Sequence, residues 1–198
     1  MKTINIDIVS DIACPWCAIG YARLQQAMKQ LASEYEFGLQ WHAFELNPDH
    51  SGTGEPILPA LARKYGRSEQ EMRATQDQMM TIAKDLGLNF EKMQERFTCN
   101  TFDAHRLVKW AAEQGKQTEM KQALFEAYFG KAEDVSDQDV LLACAESLGL
   151  DRGRAKQILD SDEFANVVRE DEATYQQAGV SAVPAFSVNG KYLISGAQ

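Results

Sequence analysis

Two cysteines, in Cys14-Pro15-Trp16-Cys17, stand where a β-prone run gives way to a helix-prone one. Thr3-Ile4-Asn5-Ile6-Asp7-Ile8-Val9 precedes them with strand character, and the segment from Ala18 to Met28 follows as helix. So placed, Cys14 meets the unpaired N–H groups and the positive dipole end of a helix, both of which favour a thiolate. Pro15 takes the first helical position, where it forfeits no hydrogen bond and its φ is already helical. The spacing predicts an exposed nucleophile at Cys14 and, one turn further in, a more buried resolving thiol at Cys17. Half a zinc knuckle or a static bridge are the alternatives for such a pair. A strand-to-helix junction favours redox exchange over both.

A second motif lies far away, in Gly179-Val180-Ser181-Ala182-Val183-Pro184-Ala185-Phe186. Beyond it, Asn189-Gly190 separates two β-prone runs, which predicts an antiparallel hairpin of Ala185–Val188 with Tyr192–Ile194. Pro184 cannot donate to a ladder and therefore suits a strand start or an edge. The Gly-Val-x-x-Val-Pro-x-Phe pattern resembles the cis-proline loop of the thioredoxin superfamily, in which that proline faces a CxxC pair. The resemblance implies a cis Val183–Pro184 bond close to Cys14.

At 198 residues the chain can bury a sizeable core. Its 44% hydrophobic and 25% charged residues are ordinary for a globular protein. A net charge of -9 argues against nucleic acid or an anionic membrane surface as partner. No apolar run approaches the ~20 residues that span a bilayer, and no basic-then-apolar leader precedes the first strand, so a cytoplasmic location is expected. Four cysteines do not make a disulfide scaffold. Cys144, inside the helical run Val140–Leu148, reads as a small buried hydrophobe, while Cys99 falls in a linker between helices. A zinc site can be written from Cys14, Cys17, Cys99 and His105, but it lacks a second closely spaced ligand pair, and no metal is expected.

The elements that must position these residues follow a simple order. Strand signals are confined to the two ends, with a second strand over Glu36–Phe44, and helical punctuation dominates from Pro56 to Gln177. Ser68-Glu69-Gln70-Glu71 is a capping box opening a helix to about Leu86. Leu86-Gly87-Leu88 and Leu148-Gly149-Leu150 are matching stop signals. Further helices are predicted over Phe102–Gln114, over Glu119–Phe129, from Val135 through Cys144, and from Ser161 to the proline loop. The order β-α-β, helices, α-β-β predicts an α/β thioredoxin fold with a large helical insertion, the architecture of the DsbA family. Its divisions would be 1–46 with 176–198 for the thioredoxin-like part and 47–175 for the insertion.

Within that family the chain resembles the FrnE-type proteins, relatives of hydroxychromene-carboxylate isomerases and kappa-class glutathione transferases. The likeness is carried by Asp11-x-x-Cys14-Pro15-Trp16-Cys17-x-Ile19-Gly20, Phe44-Glu45-Leu46-Asn47-Pro48, Asn100-Thr101-x-x-Ala104-His105-Arg106-Leu107 and the proline loop. The family continues with a C-terminal helix beyond the Ser195–Gln198 region. The resemblance implies a thiol–disulfide oxidoreductase acting on protein or peptide disulfides. Cys14 and Cys17 would carry the exchange, and Pro15, Trp16, Val183 and Pro184 would line the substrate site. It further implies Asn100 facing the site. Trp16 and Phe44 could form an apolar surface beside Cys14, with simple core packing the alternative for Phe44. His105 reads as a packing or surface residue, with a role overhanging the site as the alternative. His42 reads as a satisfied strand residue. No cofactor need be bound; glutathione enters as reductant or co-substrate. The rival reading is a glutathione-dependent isomerase or transferase, whose members present serine where this chain has Cys14. The number of subunits is not legible in the sequence.

Overall fold

The computed structural model describes residues 2–51 and 53–198. Strand β1 (Lys2–Ser10) and strand β2 (Tyr35–Ala43) run parallel, with Ile8 opposite Trp41 and Ser10 opposite Ala43. Parallel neighbours require a crossover, which helix α1 (Pro15–Leu31) supplies. Strand β3 (Ala185–Val188) pairs antiparallel with the other edge of β1, and β4 (Tyr192–Ser195) pairs with β3, giving the order β2-β1-β3-β4. The hairpin expected around Asn189-Gly190 forms, with both residues at positive φ (52° and 64°), where Asn and Gly are tolerated best. β1 is one of the two interior strands, and its buried end (Ile6, Ile8, Val9, Ser10) leads directly into the cysteine motif.

Between β2 and β3 the described residues hold seven helices: α2 (Ile57–Tyr65), α3 (Glu69–Asp85), α4 (Phe102–Glu113), α5 (Gln117–Phe125), α6 (Gln138–Ser147), α7 (Arg152–Leu159) and α8 (Ala165–Gln177). A π-helical turn, Glu126–Gly130, extends α5. Both halves of the Ser68–Glu71 capping box are made. Gly87 and Gly149 take φ of 75° and 74°, and the following leucines donate back to the Ala83 and Ala145 carbonyls, closing α3 and α6 as expected. Helix α7 is opened by Asp151, whose carboxylate accepts from the Arg154 amide (2.6 Å), whereas α2 starts without a side-chain cap. The last helix begins at Ala165, not at Ser161, because Phe164 adopts a left-handed φ of 63° with its ring packed on the main core. No helix of the described residues is long and apolar enough to cross a membrane.

The insertion is welded to the sheet by buried polar contacts as well as by the apolar core. The Trp41 indole donates to Thr118 Oγ1 (3.0 Å), and the Gln117 amide brackets the Trp41 backbone with two bonds of 3.0 Å. Asp171 on α8 pairs with Lys109 on α4 and with His42 on β2 (3.0 Å), while His42 also reaches Asp7 on β1 (3.1 Å). Paired charges tolerate such burial where lone ones would not. His42 is thus the satisfied strand residue the sequence suggests. Arg106, at the end of Ala-His-Arg, pairs with Asp103 (2.7 Å), donates to the Glu163 carbonyl (2.8 Å), and reaches the Ile158 and Ser161 carbonyls at the end of α7. It is a clamp between helices.

Candidate active site

Cys14 is the N-cap of α1 and Pro15 its first residue; the Cys17 amide donates to the Cys14 carbonyl at 3.0 Å. The Val183–Pro184 bond is cis, and the Cys14 Sγ–H donates to the Val183 carbonyl at 3.5 Å. Motifs 169 residues apart in the chain thus meet at one sulfur. All four cysteines are thiols.

Cys14 is only 4% exposed, which corrects the expectation of an exposed nucleophile. The Val183 backbone and the groove walls overhang the sulfur, which faces a cavity and not bulk solvent. Cys17 is fully buried. Burial pushes its thiol well above the usual range, and its hydrogen bond to Cys14 pushes the same way. Cys17 therefore holds its proton.

The proline loop can approach because α1 has a glycine there. A Cβ on Gly20 would lie 3.1 Å from Pro184 Cγ and 3.1 Å from Phe186 Cζ. Pro184 itself is buried against α1, so the residue it presents to the groove is Val183. Ala197 also closes on Gly20 (3.3 Å), and its carbonyl accepts from Arg23 at 2.6 Å.

Beneath the pair lies a charged cluster that sequence reasoning only partly marked. Asp11 is buried; Oδ2 accepts from the Leu46 amide (2.8 Å) and Oδ1 from the Ala13 amide (3.3 Å) and His105 Nε2 (3.3 Å). Burial alone would raise its carboxyl, but the hydrogen bonds from His105 and the Leu46 amide, with the nearby Lys121 charge, hold it below the usual range. Burial and the charge of Lys121 lower His105, so it is a neutral donor to Asp11. Lys121, on α5, is fully buried, donates to the Ser10 carbonyl (3.3 Å) and sits over the Trp41 and Phe125 rings at 5.6 Å each. Burial pushes it down to about 8, against the pull of Asp11 and both cysteine sulfurs. Lys121 stands one position after Met120 and three and four before Leu124 and Phe125, so a lysine on an apolar helical stripe was its only sequence signal.

Of the other expected site residues, Trp16 is 36% exposed at the groove mouth and Pro15 lines it. Phe44 does not line it: just past the end of β2, its ring is buried among Val9, Val180 and Ala185. His105 lies below the motif on Asp11, not in the groove. Asn100, two residues before α4 starts, accepts from the Phe102 amide (2.8 Å) in a local turn and donates to Glu45 Oε2 (3.3 Å). Glu45, half-buried and beside Glu172 and Asp11, is pushed up to about 7, chiefly by burial.

The groove has a volume of about 1180 Å³ and runs between the proline loop and helices α2 and α3. Cys99 lies on its far wall, buried, its thiol pushed up to about 12 by burial. Cys144 is buried elsewhere, on α6. Among the described residues no cluster of three His, Cys, Asp or Glu side chains is arranged to hold a metal ion.

A thioredoxin-type sheet split by a helical insertion, with a dithiol helix start facing a cis proline, defines the class of DsbA-like disulfide exchange proteins. The chain belongs to the DSBA-like thioredoxin domain family, whose model matches residues 5–198. It is 30% identical over 197 residues to the uncharacterized protein YwbO of Bacillus subtilis, covering 98% of this chain and 91% of that one. The crystal structure of the probable DsbA oxidoreductase SCO1869 from Streptomyces coelicolor superposes with a TM-score of 0.93 at 32% identity, over 98% of this chain and 84% of that one. A 2-hydroxychromene-2-carboxylate isomerase shares the fold at 15% identity and a TM-score of 0.70, over 98% and 89% of the two chains. The family is that of thiol–disulfide oxidoreductases, and the Cys14–Cys17 pair is its dithiol motif in this chain.

Proposed function

We propose that this chain, as a FrnE-type member of the family, exchanges disulfides of protein or peptide substrates, with Cys14 as attacking sulfur and Cys17 as resolving thiol. The observation that carries this reading is Cys14 Sγ bonded to the Val183 carbonyl beside the cis proline. Cys14 thiolate attacks one substrate sulfur, the substrate S–S bond breaks, and the departing sulfur leaves as a thiolate. Cys17 then gives up its proton and attacks Cys14, releasing the second substrate thiolate and leaving a Cys14–Cys17 disulfide. The substrate gains two electrons, and an external dithiol or glutathione returns them to the protein.

The cost of ionising buried Cys17 falls in that second step, and Lys121 lies within electrostatic reach of both sulfurs to offset it. Val183 lies where an extended substrate segment could pair with its backbone. In the cytoplasm, where thiols are kept reduced, the reaction runs as reduction or isomerisation.

Dithiothreitol-driven reduction of insulin tests the reading. Turnover should vanish in Cys14→Ser, Cys17→Ser should accumulate mixed disulfides, and Cys144→Ser should retain turnover. Activity that survives Cys14→Ser and needs only glutathione would replace it with the isomerase or transferase alternative.

A further inference from the structure

The groove wall opposite Cys14 holds a cation that the exchange chemistry does not use. Arg96 is 3% exposed, and its Nη1 donates to Gln76 Oε1 (3.1 Å) and to the Met93 carbonyl. Its guanidinium lies 5.4 Å and 5.2 Å from the centres of the Tyr128 and Phe129 rings. Every one of these partners is neutral, and the ion pairs of the described residues leave Arg96 out. A buried charge without a counter-charge is costly, and buried donors are rarely left unpaired. Here two are: Arg96 Nε and Gln76 Nε2 have no acceptor among the described residues, and both side chains line the groove.

The surroundings repeat the sign. The groove is lined by Arg63, Lys64, Arg67 and Arg96 against only Asp49 and Glu55, in a chain whose net charge is -9. Lys64 is held by the neutral Asn47 Oδ1 (2.8 Å), and Arg63 uses Glu55. A positive cleft in a negative protein concentrates anions. Apolar side chains such as Trp16, Met72 and Met79 also line it and suit the body of a small organic ligand.

We propose that Arg96 and Gln76 form the seat of a carboxylate carried by the disulfide substrate, so that the groove selects disulfides with an acid group a few bonds from the reacting sulfur. This deepens the oxidoreductase reading and rests on it for the reacting sulfur. A carboxylate drawn to the Arg96 guanidinium would supply the missing counter-charge, and a small shift of the two side chains would bring Arg96 Nε and Gln76 Nε2, both closed to solvent in this structure, onto its oxygens as the missing acceptors. The groove's size suits a small acidic disulfide or a short acidic peptide, the shared feature being the carboxylate.

The test uses 2,2′-dithiodiacetate and its uncharged bis-amide, two disulfides of nearly equal shape. Stopped-flow oxidation of the reduced protein, followed by tryptophan fluorescence, is divided by the rate of each disulfide with dithiothreitol. The acid should be preferred about tenfold or more, the scale of a charge-assisted hydrogen bond. Arg96→Met should collapse the preference to about twofold or less, and Gln76→Leu should reduce it. Equal normalised rates for acid and amide in the unaltered protein would overturn the seat while leaving the oxidoreductase reading intact.

Because Arg96→Met removes a packed side chain, binding is measured as well. Calorimetry of Cys14→Ser should show (methylthio)acetate binding and (methylthio)acetamide not, with the difference reduced on adding Gln76→Leu. Equal binding of the two would refute the seat. If neither disulfide reacts, the oxidoreductase reading fails, and this titration still decides the carboxylate seat by itself.

Discussion

Replacing Gly20 by alanine sets two opposing effects against each other inside the active-site helix. Gly20 is in α1 with no positive φ, so alanine suits the backbone and should favour the helix by about 1 kcal/mol. The new methyl, however, would stand 3.1 Å from Pro184 Cγ and Phe186 Cζ and 3.3 Å from Ala197 Cβ. Each is tighter than ordinary carbon contact, and the three neighbours approach from the proline loop, β3 and the C-terminal tail together. They have little room to give, since β3 is paired on both sides and the Ala197 carbonyl is held by Arg23. Overpacking of this kind costs about 1–3 kcal/mol. The net expectation is a loss of about 1 kcal/mol, or about 2–4 °C in Tm for a chain of this size.

The strain should also displace Val183 from Cys14 and lower kcat/KM for insulin reduction by about threefold to tenfold. Thermal unfolding followed by circular dichroism, with insulin turnover on the same preparation, checks both. A variant stabilised by the full helix-propensity gain, with unchanged turnover, would show that the proline loop is not seated on Gly20.

Asp11→Ala should cost about 3–5 kcal/mol in urea unfolding, because it strands Lys121 in the interior and leaves the Leu46 amide without its acceptor. A loss below about 1 kcal/mol would remove Asp11 from the role of counter-charge. The Asp11 carboxyl is held below its ordinary 3.8, so its contribution is complete above that pH and disappears as the pH falls through its folded value; the gap between wild type and variant should close in acid. Glu45 behaves oppositely. Its folded value of about 7 exceeds its ordinary 4.5, so its ionisation erodes stability as pH rises from 4.5 towards 7. Glu45→Gln should therefore be the more stable protein at pH 8, by about 1 kcal/mol once solvent screening of this half-exposed group is allowed for, and the advantage should fade by pH 4.5. Parallel urea titrations at the two pH values measure it, and an advantage independent of pH would contradict the assignment.

Local chemistry made most of the fold legible from the amino-acid order. The strand run before Cys14, the capping box at Ser68, the glycine stops at 87 and 149 and the Asn-Gly hairpin each act within a few residues, and each appears where its own stereochemistry demands. Cys14-Pro15-Trp16-Cys17 at a helix start is local in the same sense. The start of α8 departs from the acidic start signal at Ser161 because the packing of Phe164, a distant contact, overrides it.

The surroundings of the sulfur depend on contacts between elements remote in sequence. Cys14 is covered because a backbone carbonyl 169 residues away closes over it, and Phe44, just past β2, is buried because Val9, Val180 and Ala185 converge on it. Asp11, His105 and Lys121 come from a strand end, α4 and α5, and only folding brings one carboxylate and two nitrogen bases into a buried group. Arg96 and Gln76 look like surface residues in the sequence, and only the packing of their segments puts them inside a groove facing a thiol. Burial and electrostatic field are sums over neighbours from the whole chain. The identity of the reacting atoms is therefore written locally, while their reactivity and the shape of what reaches them are decided by tertiary structure.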